Sequence, residues 1–284
     1  MLKRWGVPLA TLATMTASAG AAIAVPAAVP VAPGPARHSP ARHGQIQPGG
    51  TAAFLAAPGA AAPGNASTGA TGPARGRAAW QATSTNWSGY VATGRAYTSV
   101  SATWVQPPVS CGPGGGYASF WVGLDGYASG GTVEQVGTDS DCSGRPRYYG
   151  WYEMYPGPSH NVRGAIGPGD TVRASVTYTG GGAYALRLAD ESRGWSATVT
   201  RSLPGAARSS AEVIVEAPSD SGGILPLARF GTVRVGDARA DGVALGAYSP
   251  TRITMADGGG GAAKATVSPL GNDGNFRVTW KRTA

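Results

Sequence analysis

A chain of 284 residues that is 42% apolar can bury one large core or two small ones, while 45 Gly, 22 Pro and only 13% charged residues disfavour long helices and suit short strands joined by turns. The net charge of +8 is an effect of the amino-terminal part: six of the 23 basic residues precede residue 80 and all 15 acidic ones follow it, leaving 17 basic residues, singly scattered, against those 15. That balance excludes a nucleic-acid-binding patch and reads as an ordinary solvated surface.

Lys3 and Arg4 lead into an apolar stretch from Val7 to Met15, and Ala17-Ser18-Ala19 or Ala22-Ile23-Ala24 offers a small-residue cleavage site. This is the layout of a secretory signal peptide over residues 1–27. Gly, Thr and Ser interrupt the run, which is shorter than the roughly 20 apolar residues of a membrane span. Cleavage is therefore expected, giving a secreted, extracellular product with no membrane partner. Residues 28–79 are Ala, Pro and Gly with almost no large apolar side chains beyond Phe54 and Leu55. Such a segment buries too little surface to offset its ordering entropy and reads as a pro-segment or linker, with His38 and His43 as solvated bystanders.

Residues 80–284 form the folded domain. Thr85 to Val91 and Val100 to Val105 read as strands, the second stopped by Gln106-Pro107-Pro108. Cys111 and Cys142, an even count in an exported chain, predict a disulfide closing a loop of about 30 residues, worth roughly 3–4 kcal/mol in the chain-entropy picture. A nucleophilic Cys would need a positioned His, and only His160 is at hand.

Period two then sorts the next strands into faces. From Ala118 to Gly126, Phe120, Val122 and Leu124 form a core side, opposite Trp121, Gly123 and Asp125. In Tyr148 to Tyr155, Tyr149, Trp151, Glu153 and Tyr155 share a side. In Ala211 to Glu216, Ala211, Val213 and Val215 face the core, opposite Glu212, Ile214 and Glu216. Val133 and Gln135 share a face, which sends Glu134 to the core side, where a bulge or a buried partner is expected. Thr171–Tyr178, Tyr184–Leu188 and Trp195–Thr200 alternate as a meander, and further strands fall at 232–235, 253–255 and 276–280. The expected fold is all-β, a sandwich of two antiparallel sheets of jelly-roll or concanavalin-like type.

No HExxH or clustered His/Cys pattern is present, nor a GxSxG elbow, a phosphate-binding loop or a dinucleotide fingerprint, so no metal or cofactor is expected. A Ser/His/Asp triad would have to use His160, which reads as an exposed loop residue. What remains is carboxylates beside aromatics: Asp125, Glu153, Glu212 and Glu216. Two reactions use such a set: glycoside hydrolysis on an aromatic platform, and acid peptide hydrolysis with one carboxylate as base and an oxyanion donor. Periodicity is compatible with both.

The ordered runs Trp121-Val122-Gly123-Leu124-Asp125-Gly126, Glu134-Gln135-Val136-Gly137, Trp151-Tyr152-Glu153-Met154-Tyr155-Pro156 and Ala211-Glu212-Val213-Ile214-Val215-Glu216 resemble the glutamic peptidases, or eqolisins. Thr85-Asn86-Trp87-Ser88-Gly89 and Leu225 to Phe230 agree at the flanks. The resemblance implies a β-sandwich and a secreted, monomeric, pepstatin-insensitive acid endopeptidase acting on polypeptides without cofactor or covalent intermediate. It implies Gln135 and Glu216 as the catalytic pair. It also implies Trp87, Trp121, Asp125, Trp151 and Glu153 as cleft-lining or supporting residues, Asp125 and Glu153 tuning Glu216 and holding a water. The family's Leu before the Gln is Glu134 here, and its aromatic within the Glu-bearing strand is Val213. The reading of another class is a secreted carbohydrate-binding or glycoside-cleaving jelly roll.

Overall fold

The structure is a computed structural model that describes residues 80–127, 131–258 and 261–283. The expected signal peptide (1–27) and pro-segment (28–79) lie outside the described residues.

Short alternating segments between Gly- and Pro-rich turns give eighteen strands among the described residues. They are β1 (Gln81–Ser84), β2 (Trp87–Thr93), β3 (Ser99–Val105), β4 (Tyr117–Leu124), β5 (Val133–Asp141), β6 (Arg147–Tyr155), β7 (His160–Val162), β8 (Thr171–Gly180) and β9 (Ala183–Asp190). There follow β10 (Trp195–Ser202), β11 (Ser210–Glu216), β12 (Ser219–Asp220), β13 (Gly223–Ile224), β14 (Thr232–Ala240), β15 (Val243–Ala244), β16 (Thr251–Ala256), β17 (Ala263–Val267) and β18 (Phe276–Trp280). The 3-10 turn Leu245–Tyr248 interrupts the β pattern between β15 and β16.

The all-β sandwich is present, with its two layers hydrogen-bonded as one continuous path, β10-β9-β8-β3-β14-β18-β17-β16-β2-β11-β4-β5-β6-β7. The pairing is antiparallel except for β1, which runs parallel to β16. The meander β8-β9-β10 stands at one end of the path, and the path turns through β18, β17 and β16 into the second layer. Between the layers lies the main core. Val100, Ala102, Trp104, Val172, Val176, Leu186 and Leu188 on one side meet Tyr90, Phe120, Val122, Leu124, Val136, Val213 and Val215 on the other. Each fully buried side chain of this size stabilises by about 1.5–3 kcal/mol, so the core fixes which face of β4, β5, β6 and β11 turns inward. Polar bonds cross the same gap: Trp104 Nε1 donates to Thr138 Oγ1 at 3.1 Å, which donates to Gln106 Oε1 at 2.6 Å.

Cys111 and Cys142 form the expected disulfide, 31 residues apart in sequence. It ties the segment before β4 to the end of β5, the two strands that frame the site.

Candidate active site

β11 lies between β2 and β4, and β4 is followed by β5 and β6. On the face turned away from the main core, their registers align three rows. The first is Trp87, Glu216, Ser119, Asp139, Tyr149; the second is Gly89, Ile214, Trp121, Gly137, Trp151; the third is Val91, Glu212, Gly123, Gln135, Glu153. The carboxyl and amide side chains therefore lie in the outer rows, and the middle row holds two indoles, Trp121 and Trp151. Trp87, Val91, Trp121, Val133, Trp151, Ile214 and Ile253 form a second apolar cluster here, with Tyr127, Tyr149 and Tyr155 against it.

Trp121 links the outer rows. Its Nε1 donates to Glu216 Oε2 at 2.9 Å, and its ring stands edge-on to Trp87 with centroids 5.0 Å apart. A methyl group at Gly123 would meet Trp121 Cζ3 at 2.9 Å and Gln135 Cβ at 3.3 Å. The indole thus runs from Glu216 across Gly123 to the flank of Gln135. Gly137, opposite Trp121, is equally restricted, since a Cβ there would lie 2.5 Å from Trp121 Cβ. Replacing Gly123 by Ala is expected to displace the ring, which Trp87 and Glu216 hold on its other sides. The expected cost is about 1–3 kcal/mol of stability and roughly tenfold or more in turnover; thermal unfolding and kcat measured side by side check both.

Gln135, Glu153, Glu212 and Glu216 are all fully buried, as are Trp87, Trp121 and Trp151 to within 1%. Gln135 Nε2 donates to Glu153 Oε2 at 3.1 Å. Only the NH₂ end of an amide can donate, so this bond sets the direction of the Gln135 side chain and leaves its second N–H for another acceptor. Glu216 takes a second donor on its other oxygen, Asn86 Nδ2 at 3.3 Å. Each carboxyl oxygen of Glu216 is thus held by one N–H donor.

Glu212 differs. Burial pushes its carboxyl well above the ordinary range, with the Asp125 and Glu134 charges adding and the Ser210 hydroxyl opposing. It is a neutral acid in acidic solution, whereas Glu216, on the same strand, receives an N–H on each of its two oxygens.

Asp125 departs from the expectation. It has φ 66°, so the extended alternation that grouped it with Trp121 ends there. Its Oδ1 accepts from the Ser209 N–H at 2.6 Å and the Ser209 hydroxyl at 2.8 Å, and its Oδ2 from the Arg208 N–H at 2.5 Å. Asp125 holds the bend that leads into β11, rather than bonding to Glu216 or Gln135.

Glu134 sits on the core side as alternation requires. There is no bulge: the registers through Leu124, Glu134 and Met154 are continuous. Nor does either of its carboxyl oxygens find a well-formed hydrogen bond among the described residues. Burial, reinforced by the Asp125 charge, pushes its pKa up to about 8 against smaller opposing effects of Thr132 and Arg208. The side chain is accommodated by staying protonated.

Two members of the face were not singled out from sequence. Asp139 accepts from the Tyr149 hydroxyl at 3.1 Å, and burial with the Asp139 and Asp141 charges pushes that phenol up. Extending the period-two run Val133, Gln135, Gly137 by one step would have found it. Asn86 precedes Trp87 in a bend, where alternation gives no signal. His160, by contrast, is exposed and stacks on Tyr152, away from this face.

Two open hollows, of about 540 and 680 Å³, lie elsewhere, near Trp104 and Phe276 and near Tyr90 and Leu270. Neither is lined by a carboxylate, so the chemistry points to the buried face.

The sequence profile of the Peptidase A4 family matches residues 85–280. Aspergillopepsin-2 of Aspergillus niger is 30% identical over 212 residues, 65% of this chain and 75% of its own. Scytalidopepsin B of Scytalidium lignicola is 36% identical over 95 residues, 33% of this chain and 35% of its own. Among solved structures, scytalido-glutamic peptidase with a transition state analog inhibitor aligns with TM-score 0.61 at 25% identity, covering 69% of this chain and 98% of that one. Aspergilloglutamic peptidase from Aspergillus niger gives 0.51 at 26% identity, over 58% and 99%. The match runs from the bend before β2 to the end of β18 and takes in every strand of the carboxyl-and-indole face, and on that ground the chain belongs to the Peptidase A4 family, the eqolisins.

Proposed function

We propose that this protein is a secreted, monomeric acid endopeptidase in which Glu216 is the general base and Gln135 the oxyanion donor. The observation that carries the reading is the difference between the two groups on one face. Glu216 receives an N–H on each oxygen, from Trp121 and Asn86, whereas the Gln135 amide is oriented by Glu153. One is arranged to be an anion, the other to donate. The names of its relatives, peptidases all, support the substrate class.

In this mechanism Glu216 takes a proton from a water as its oxygen bonds to the scissile carbonyl carbon. The carbonyl oxygen becomes an oxyanion and receives the remaining N–H of Gln135, which stays a donor at any working pH because an amide does not ionise. The protonated Glu216 then returns the proton to the amide nitrogen as the C–N bond breaks, releasing a carboxylic acid and an amine. No bond to the protein forms. Burial removes competing water and strengthens each of these contacts. Trp87, Trp121 and Trp151 shape the face, and Glu153 aims Gln135.

The test is digestion of a denatured protein near pH 4 with pepstatin present, with polysaccharides offered in parallel. Cleavage of the polypeptide alone is expected. Release of sugars without proteolysis would instead support the glycoside-cleaving reading.

A further inference from the structure

Glu216 ends β11, and the bend between β1 and β2 closes against it. There the Ser84 hydroxyl accepts the backbone N–H groups of Asn86 at 3.2 Å and Trp87 at 3.0 Å, and donates to Asn86 Oδ1 at 2.9 Å. A hydroxyl has a single proton to give. The carbonyl end of the Asn86 amide therefore faces Ser84, and its NH₂ end faces Glu216 Oε1 at 3.3 Å. The backbone joins the same two segments, since the Ala217 N–H donates to the Asn86 carbonyl at 2.8 Å. Ser84 and Asn86 are buried, at 0% and 1% exposure.

We infer that Asn86 is a positioning residue for the reaction. Its amide, aimed by Ser84, holds Glu216 ionised and in place in acid while Trp121 fixes the other oxygen. The inference rests on the reading of Glu216 as the base. Ionisable groups on the elements packed around Glu216 include Asp139 on β5, in register across Ser119, then Tyr149 on β6, Glu212 and Glu153 in the far row of the same face, and Lys264 on β17, whose Nζ donates to the Thr85 carbonyl at 3.1 Å. Asn86 brings a donor to Glu216 without adding a charge to that set.

Asn86→Asp keeps the shape and the Ser84 bond but replaces the NH₂ donor with a second carboxyl. Two carboxyls side by side resist joint ionisation. The acid limb of the kcat/KM profile is expected to move about one pH unit upward, with roughly a tenfold loss at its acid end and KM little changed. Ser84→Ala, which leaves the amide unaimed, is expected to shift the limb the same way by less. A wild-type profile in both variants, or a loss equal at every pH, overturns the inference. Glu216→Gln separates the two levels. If it is inactive while Asn86→Asp is unaltered, the role of Asn86 alone fails; if Glu216→Gln is fully active, the base assignment fails and this inference with it.

Discussion

Glu216→Gln is expected to reduce acid proteolysis by about 10²–10⁴, the range for loss of a positioned base. The fold should survive with a modest penalty. Trp121 Nε1 and Asn86 Nδ2 both donate to this side chain, and an amide offers only one acceptor end, so one donor would face an NH₂. That mismatch costs about 1–3 kcal/mol. Gln135→Ala is expected to lose about 10²–10³ in kcat, as for removal of one oxyanion donor, with little change in KM.

Gln135→Glu should be worse than Gln135→Ala wherever the new carboxyl ionises. It would stand opposite Glu153 in the register and place negative charge where the oxyanion forms. Its residual activity should therefore fall as pH rises, a trend the alanine variant lacks. Single-turnover assays on the purified protein, with folding checked by circular dichroism, decide the matter. Wild-type rates in both Glu216→Gln and Gln135→Ala would end the assignment.

Much of this face was legible because strand side chains alternate and the core tolerates little else. Tyr149, Trp151, Glu153 and Tyr155 on β6, and Glu212, Ile214 and Glu216 on β11, all lie where period two puts them. Alternation failed at Asp125, where a positive φ ends the extended backbone. It was silent at Asn86, which lies in a bend. Strand order was out of its reach, because β11 joins β2 and β4 across a sequence gap of about 90–120 residues and such pairings depend on packing, not local pattern. Nor did period two rank Gln135 and Glu216 above their neighbours: family resemblance did that, and the bonds of Trp121, Asn86 and Glu153 supply a physical reason for it.

Stability is expected to fall as pH rises from about 4.5 to 8, largely because of Glu134. The sign follows from where its protons sit. Below the ordinary value of 4.5 the carboxyl is protonated whether the chain is folded or unfolded, and its contribution is fully present. Between 4.5 and about 8 the unfolded chain releases a proton that the fold retains, so each unit of pH removes about 1.4 kcal/mol, for about 5 kcal/mol in all. Above about 8 the loss is complete. Glu212, raised by its burial, acts in the same direction. For a domain of this size the Glu134 effect corresponds to a decrease of roughly 10–20 °C in Tm. Glu134→Leu should flatten the curve, since the site lies in register with Leu124 and Met154 and keeps its apolar neighbours. The variant and the wild type should melt within a few degrees of each other at pH 4 and diverge steadily toward pH 8, with the variant higher. A wild-type Tm that is the same at pH 4 and pH 8, or a variant that falls as steeply, would refute this account of Glu134. On this account the residue beside Gln135, the proposed oxyanion donor, restricts the fold to the acidic range in which Glu216 is proposed to work, although it points into the core, away from the face that carries both.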